Sequence, residues 1–157
     1  EVIRHCMSRQ DDSEMKDDII YLLFIALKED KAAKTAAEKA VLDEIMHRSG
    51  FARSERNQYY RMMSAWRKNF KISEDKIAEY IIRLKDETDR YVDMTVGGGH
   101  RESYDRAALR VVMLGEVLED NGMENGLSEI IEGYRKTYWR KHAFTGELSE
   151  AAKKSEV

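Results

Sequence analysis

The sequence predicts an all-α fold of about six helices, and three observations lead to this prediction. Proline is absent from the 157 residues, although average usage of about 5% would supply roughly eight. The nine glycines cluster at a few points, and proline and glycine are the residues that break or loosen helix interiors. Hydrophobic residues make up 42% and charged residues 36% of the chain, which is typical of a soluble, helix-rich protein. A chain of this length fits one domain better than two.

The first two predicted helices occupy residues 14–30 and 31–49. Apolar side chains cover most of the circumference of the first helix, which indicates a strut surrounded by other helices. Ser13 is the predicted cap of this helix. The second helix is rich in alanine and is expected to stop at Gly50.

The third and fourth predicted helices follow the same rules of periodicity and capping. Ser54 opens the third helix, whose apolar side chains recur at helical spacing as far as Phe70. Ser73, followed by two acidic residues, is the predicted cap of the fourth helix. The glycine run 97–99 is expected to end it.

The fifth and sixth helices are predicted at about 102–120 and 126–143. Gly115 lies in the middle of the fifth helix, where glycine is less favourable than alanine by about 1 kcal/mol. A close contact with another helix is therefore expected at this glycine. The tail EAAKKSEV at residues 150–157 is expected to fray.

Short loops join these helices, so they are expected to pair as antiparallel hairpins. A helical-repeat-like array of hairpins and a closed bundle both remain open. The predicted hairpins span residues 14–49, 54–95 and 102–143. The predicted organisation is an N-terminal extension over 1–13, a single helical domain over 14–145 and a polar C-terminal tail over 146–157.

Cysteine usage and hydropathy bear on the cellular compartment. Cys6 is the only cysteine, so no disulfide framework is predicted and a reducing cytoplasm is expected. The longest apolar run, residues 19–27, has nine residues, about half of what spans a bilayer. No membrane segment and no signal peptide are therefore predicted. The first residue is Glu1 rather than methionine, so the chain could be a segment of a longer polypeptide.

The third helix and its flanks carry a one-sided set of cations. On a wheel of 100° per residue they fall within one arc of about 140°, opposite the apolar stripe. This predicted basic face consists of Arg53, Arg56, Arg61, Arg67, Lys68 and Lys71. It could bind a phosphate backbone or an acidic protein. Alternatively, it is a solvated face neutralised by the first helix, because residues 11–30 hold seven acids against two lysines.

A second candidate contact lies in the stretch YRKTYWRKH at residues 134–142. Helical geometry assigns Tyr134 and Tyr138 to the core and leaves Trp139 at its boundary, beside Arg135. Trp139 is therefore the aromatic side chain in this stretch that could stack on a ligand. The predicted secondary contact consists of Arg135, Lys136, Trp139 and Arg140.

No pattern in the sequence predicts catalysis, a metal ion or a cofactor. The four histidines are far apart, and the adjacent pair His5–Cys6 is a poor start for a tetrahedral zinc site. The glycines before His100 lack the residues of a phosphate-binding loop. Carboxylate pairs such as Glu116 with Asp120, or Glu38 with Asp43, occur in any chain with 30 acids. Nothing marks one of them as a general acid or base.

Residues 104–148, YDRAALRVVMLGEVLEDNGMENGLSEIIEGYRKTYWRKHAFTGEL, resemble the C-terminal helical region of bacterial and archaeal SWIM zinc-finger proteins. The similar features are a tyrosine and paired alanines that open one helix, and the run RKHAFTGEL at 140–148 that ends the next. The segment 17–27, with the Gly50-Phe51 pair that follows it, is also similar. The resemblance implies a helical-repeat appendage of a zinc-binding module that contacts DNA or protein. The cysteine and histidine ligands of the finger are absent from this chain, so no zinc role is expected.

These observations together predict a non-catalytic helical module that binds another macromolecule. A protein partner, held in a groove or on a helix face, is the leading expectation. The alternative is a nucleic-acid-associated module that uses the basic face. The net charge of −3 argues against a dedicated nucleic-acid binder. The sequence leaves the oligomeric state open.

Overall fold

The computed structural model describes residues 13–28 and 35–155, and this part of the chain is helical with no strand. The all-α prediction is therefore confirmed. Outside the described residues lie the N-terminal extension before Ser13 with the His5–Cys6 pair, residues 29–34 at the junction of the first two predicted helices, and residues 156–157 of the tail. The α-helices are α1 Ser13–Leu27, α2 Ala36–Arg48, α3 Arg56–Asn69, α4 Glu74–Val92, α5 Tyr104–Asp120, α6 Gly126–Thr137 and α7 His142–Lys153.

Several helix boundaries agree with the signals in the sequence. Ser73 occupies the predicted N-cap position of α4 and is followed by two acids in the first turn, but its side chain makes no capping hydrogen bond. Beyond Val92 the helix widens into a π-helical turn over Asp93–Gly97 and then ends at the glycine run. Gly99 adopts a φ of 79°, a left-handed conformation that favours glycine.

The central element of the fold is α5. It packs against α1, α2, α4, α6 and α7, and every residue from 110 to 117 is buried. These five helices therefore surround α5, whereas α3 packs on α2. A Cβ atom on Gly115 would lie 2.6 Å from Leu127 Cδ1 and 2.7 Å from Leu127 Cα, which confirms the predicted close helix contact at this glycine.

One predicted hairpin does not form. The helix α3 packs on α2 rather than on α4, its neighbour along the chain. The buried side chains of α4, Leu84, Thr88 and Val92, belong to a helix that α1 and α5 already cover. The expected pairing over 54–95 is therefore wrong.

The end of the chain also differs from the prediction. The sixth helix stops at Thr137 instead of continuing to 143, and a further helix, α7, follows the turn at 138–141. Phe144, Leu148 and Ala151 lie on one face of α7 and are buried, in a helix that packs against α5. Their spacing of four and three residues is that of an amphipathic helix. The expectation of a polar tail from 146 is therefore corrected as far as Lys153.

Within the described residues, no helix combines the length and the apolar character that crossing a membrane requires.

Candidate binding surfaces

The structure divides the six cations of the basic face between ion pairs and solvent. Arg56 Nε lies 3.1 Å from Asp43 Oδ1, and Arg67 Nη1 lies 2.7 Å from Glu38 Oε1. Both acids belong to α2, so the neutralising carboxylates come from the second helix and not from the acidic first helix. The remaining cations, which are exposed and form no ion pair with the other described residues, are Arg53, Arg61, Lys68 and Lys71.

The contact between α2 and α3 includes a second donor to Asp43. The hydroxyl of Tyr60 donates a hydrogen bond to this carboxylate at 2.8 Å. Burial and this hydrogen bond raise the pKa of Tyr60 to about 12. Asp43 therefore holds both a cation and a phenol of α3, which fixes the start of α3 on α2.

The other acid of α2 that faces α3 is almost fully buried. Burial raises the pKa of Glu38 above its ordinary value, and the Arg67 guanidinium opposes this rise. Glu38 Oε2 and the Nε and Nη2 atoms of Arg67 are buried and have no hydrogen-bond partner among the described residues. A buried polar atom left without a partner destabilises a fold by about 1–3 kcal/mol. This ion pair therefore holds α3 in place at some loss of stability.

A buried polar cluster joins the ends of α1, α2, α5 and α7. Its centre is Glu116, which is 5% exposed and accepts a hydrogen bond from the Lys28 ammonium. The same carboxylate accepts hydrogen bonds from Thr35 Oγ1 at 3.0 Å and Ser155 Oγ at 2.5 Å. Asp120 Oδ2 lies 3.9 Å from Lys28 Nζ. Sequence reasoning did not distinguish Glu116 from other carboxylates, because its partners are distant along the chain.

A second buried charge, Arg110 of α5, also escaped the sequence analysis. Its side chain is 2% exposed, and its Nη2 atom lies 2.8 Å from Asp17 Oδ1 of α1. The guanidinium lies 3.7 Å from the ring centroid of Tyr91 and 4.9 Å from that of Tyr21. Both distances are within cation–π range. Arg110 thus links α5 to α1 and α4.

A basic pocket of about 510 Å³ lies where α1 ends, α3 ends and α4 begins. Its charged lining consists of Lys28, Arg67, Lys68, Lys71 and Glu74. Lys28 and Arg67 already hold buried carboxylates, so Lys68 and Lys71 are the cations of this pocket that remain available to a ligand. The pocket thus concentrates part of the predicted basic face at the C-terminal end of α3.

The residues of the predicted secondary contact also differ in their surroundings. Arg135 contacts Glu132 at 3.2 Å and Ser149 of α7 at 2.9 Å, whereas Lys136 is exposed. Trp139 is 60% exposed, and Arg140 lies 4.7 Å from the centroid of its ring. The neighbour of Trp139 is therefore Arg140 and not Arg135, because the helix ends at 137 and the following turn changes the direction of these side chains.

An apolar groove of about 510 Å³ lies between α4 and α6. Its lining includes Ile81, Leu118 and Ile130, which pack against the core. It also includes two large apolar side chains that are exposed to solvent, Ile82 at 61% and Met123 at 48%.

One end of the groove is crossed by a polar contact, and one wall is open. The Tyr134 hydroxyl of α6 donates a hydrogen bond to Asp89 of α4, and burial together with this contact raises the pKa of Tyr134 well above its ordinary value. A Cβ atom on Gly133 would meet nothing within 4 Å. The groove therefore has room for a further side chain beside α6.

The described residues do not form a group of three or more histidine, cysteine, aspartate or glutamate side chains that could hold a metal ion. The histidines of this part of the chain, His47, His100 and His142, are exposed. The buried carboxylates Glu38 and Glu116 are engaged by cations from other helices. These two carboxylates therefore join elements of the fold to one another.

Comparisons with protein-family models, with curated proteins and with solved structures yield no match. The resemblance of residues 104–148 to the helical region of SWIM zinc-finger proteins stays a prediction.

Proposed function

We propose that the protein is a non-catalytic helical module that binds a protein partner in the groove between α4 and α6. The observation that carries this proposal is the pair of exposed apolar side chains at the groove, Ile82 and Met123. Single exposed apolar residues are common on soluble proteins, whereas apolar side chains grouped around a recess are typical of binding sites.

The dimensions of the groove support a peptide-sized ligand. On α4 the lining runs from Ile81 to Asp89, a rise of about 12 Å, and on α6 from Gly126 to Thr137, about 17 Å. These lengths correspond to two to three turns of a docked helix. Grooves between two helices are a recurrent site for amphipathic helices, whose side chains enter the groove at helical spacing.

Three baits in an affinity capture experiment test this function: the wild type, Ile82→Asp and Met62→Asp. Met62 lies on α3, away from the groove, and is 48% exposed, so its substitution changes a comparable apolar surface elsewhere. We expect partner proteins that the wild type and Met62→Asp retain and Ile82→Asp loses. Capture that is insensitive to Ile82→Asp would refute the proposal.

The second candidate function is association with nucleic acid through the basic face. The observation in its favour is the exposure of Arg53, Arg61, Lys68 and Lys71, which no described acid neutralises. Arg56 and Arg67 are a poor choice for testing this function, because their substitution would also break contacts between α2 and α3.

The triple variant Arg61→Gln, Lys68→Gln, Lys71→Gln tests the second candidate. If the basic face binds a phosphate backbone, the wild type should bind RNA or DNA with an affinity that falls steeply with salt. The triple variant should lose this binding while its thermal unfolding stays close to that of the wild type. Binding that the three substitutions leave unchanged would exclude this face.

A further inference from the structure

The charges around the groove are distributed unevenly. Residues 111–134 form most of α5, the following turn and most of α6, and they contain six acids and no lysine or arginine. Two of these acids, Glu116 and Asp120, face Lys28. Three exposed acids of this stretch form no ion pair with the described residues: Glu129, which lines the groove, and Glu119 and Glu124, which each follow a residue that lines it.

These three acids have little local compensation. Glu119 accepts a hydrogen bond from the Leu127 amide at 3.2 Å, a neutral donor that leaves its charge in place. Glu129 lines the groove itself, and Glu124 follows Met123, the exposed methionine of the groove. Neither Glu124 nor Glu129 forms an ion pair with the described residues. The acidic rim is therefore defined by Glu129 of the groove lining together with Glu124 and Glu119, which follow the lining residues Met123 and Leu118.

The opposite rim has a different character. On α4 the charged side chains that line the groove are Lys85 and Asp89, one of each sign. Asp89 is already engaged by the Tyr134 hydroxyl. A ligand in the groove would thus meet apolar side chains beneath it, a carboxylate rim on one flank and nearly balanced charge on the other.

We propose that the occupant of the groove is an amphipathic helix of another protein, whose flank facing the acidic rim carries lysine or arginine. This inference rests on the proposed function and specifies the partner. The apolar stripe of the helix covers Ile82 and Met123, and its cations lie near Glu124 and Glu129. Electrostatic complementarity of this kind selects partners and sets the orientation in which they dock.

Two synthetic helices of about 14 residues, long enough to span the groove, test the inference. They share one leucine stripe and differ only in the flank, which carries lysine in one peptide and glutamate in the other. We expect the lysine peptide to bind roughly tenfold more tightly, since two or three partly exposed ion pairs each contribute modestly. The preference should shrink with salt, and shifts of the Gly126 and Gly133 amide signals should report binding in the groove.

Three variants serve as controls for this measurement. Glu124→Lys with Glu129→Lys should abolish or invert the preference, Ile82→Asp should weaken both peptides, and Met62→Asp should change neither. Equal affinity for the two peptides, no binding of either, or a preference that survives the charge reversal would overturn the inference. Self-association lost in Ile82→Asp, without peptide binding, would identify a second copy of this chain as the occupant and overturn it as well.

The failure of this inference can be told apart from the failure of the proposed function. If captured partners still depend on Ile82 while the peptides show no charge preference, the groove binds protein and only the partner class is wrong. If capture does not depend on Ile82, the groove is not the binding site and both proposals fail.

Discussion

The helices α3 and α5 both combine an apolar stripe with charged residues, but they treat those charges in opposite ways. On α3 most cations stay exposed, and only Arg67 is drawn against a buried acid. On α5 both Arg110 and Glu116 are buried, because α1 supplies Asp17 to one and Lys28 to the other. Whether a charged side chain of this fold is buried or exposed thus depends on the helices packed around it as well as on its own position in the helix.

Replacing Arg110 by alanine should produce the largest effect. The change removes a large buried side chain that packs over Tyr91, and it takes the nearer cation from Asp17, which keeps Arg48 at 3.9 Å. Truncating a large buried side chain to alanine destabilises a protein by about 2–5 kcal/mol. Urea denaturation would measure the loss. The matched change on α3, Arg61→Ala, should alter the unfolding free energy by less than about 0.5 kcal/mol. Similar losses in the two variants would contradict the contrast between the helices.

Gly115 of α5 and Gly133 of α6 differ in how closely other atoms pack around them. Gly115→Ala should lower the unfolding free energy by about 1–3 kcal/mol, because the new methyl group would meet the Leu127 backbone at 2.7 Å. Gly133→Ala should raise it by about 0.5–1 kcal/mol, since its methyl group meets nothing within 4 Å. Thermal or chemical denaturation of both variants would check the opposite signs. Stabilisation by both substitutions would mean that α6 can move away from α5.

Glu38 makes the contact between α2 and α3 sensitive to pH. Its folded pKa lies above 4.5, so the folded state holds the proton more tightly than the unfolded state. The stability that Glu38 contributes is therefore present below pH 4.5 and is lost as the pH rises through the folded pKa. The unfolding free energy of the wild type minus that of Glu38→Gln should fall as the pH rises through this window. A difference that grows with pH would show that the attraction of Arg67 outweighs burial.

The exposed ion pair between Arg56 and Asp43 should give the smallest effect. A double-mutant cycle with Arg56→Ala and Asp43→Ala should yield a coupling of about 0.2–1 kcal/mol, decreasing at high salt. The hydrogen bond from Tyr60 to Asp43 is lost in both arms that lack the carboxylate, so the cycle isolates the arginine. A coupling above about 2 kcal/mol would contradict the weak contribution expected of an exposed ion pair.

Much of this fold could be predicted from the sequence, because helix periodicity and end signals are local. The absence of proline, the cap at Ser73 and the glycine run 97–99 correctly indicated an all-α chain and its fourth helix. Gly115 correctly indicated a close helix contact. The helix α7 was missed although Phe144, Leu148 and Ala151 have helical spacing, since no glycine or proline marks the turn at 138–141 that separates it from α6.

The candidate site was harder to predict, because it depends on which helices become neighbours. Ile82 and Met123 are 41 residues apart in the sequence and belong to one groove only because α4 and α6 both pack on α5. The pairing of Arg67 with Glu38 similarly depends on α3 docking on α2. The basic face of residues 53–71 and the set at 135–140 stay predictions about binding.

The backbone beyond α7 returns to the opposite part of the sequence. The Ala37 amide donates to the Lys154 carbonyl at 3.1 Å, and Ser155 Oγ contacts the Glu116 carboxylate. Enzymatic removal of these two residues would therefore break contacts at the first turn of α2 and near the C-terminal end of α5. Cleavage at this position, although it removes no side chain of the bundle interior, would loosen two helices that lie far upstream.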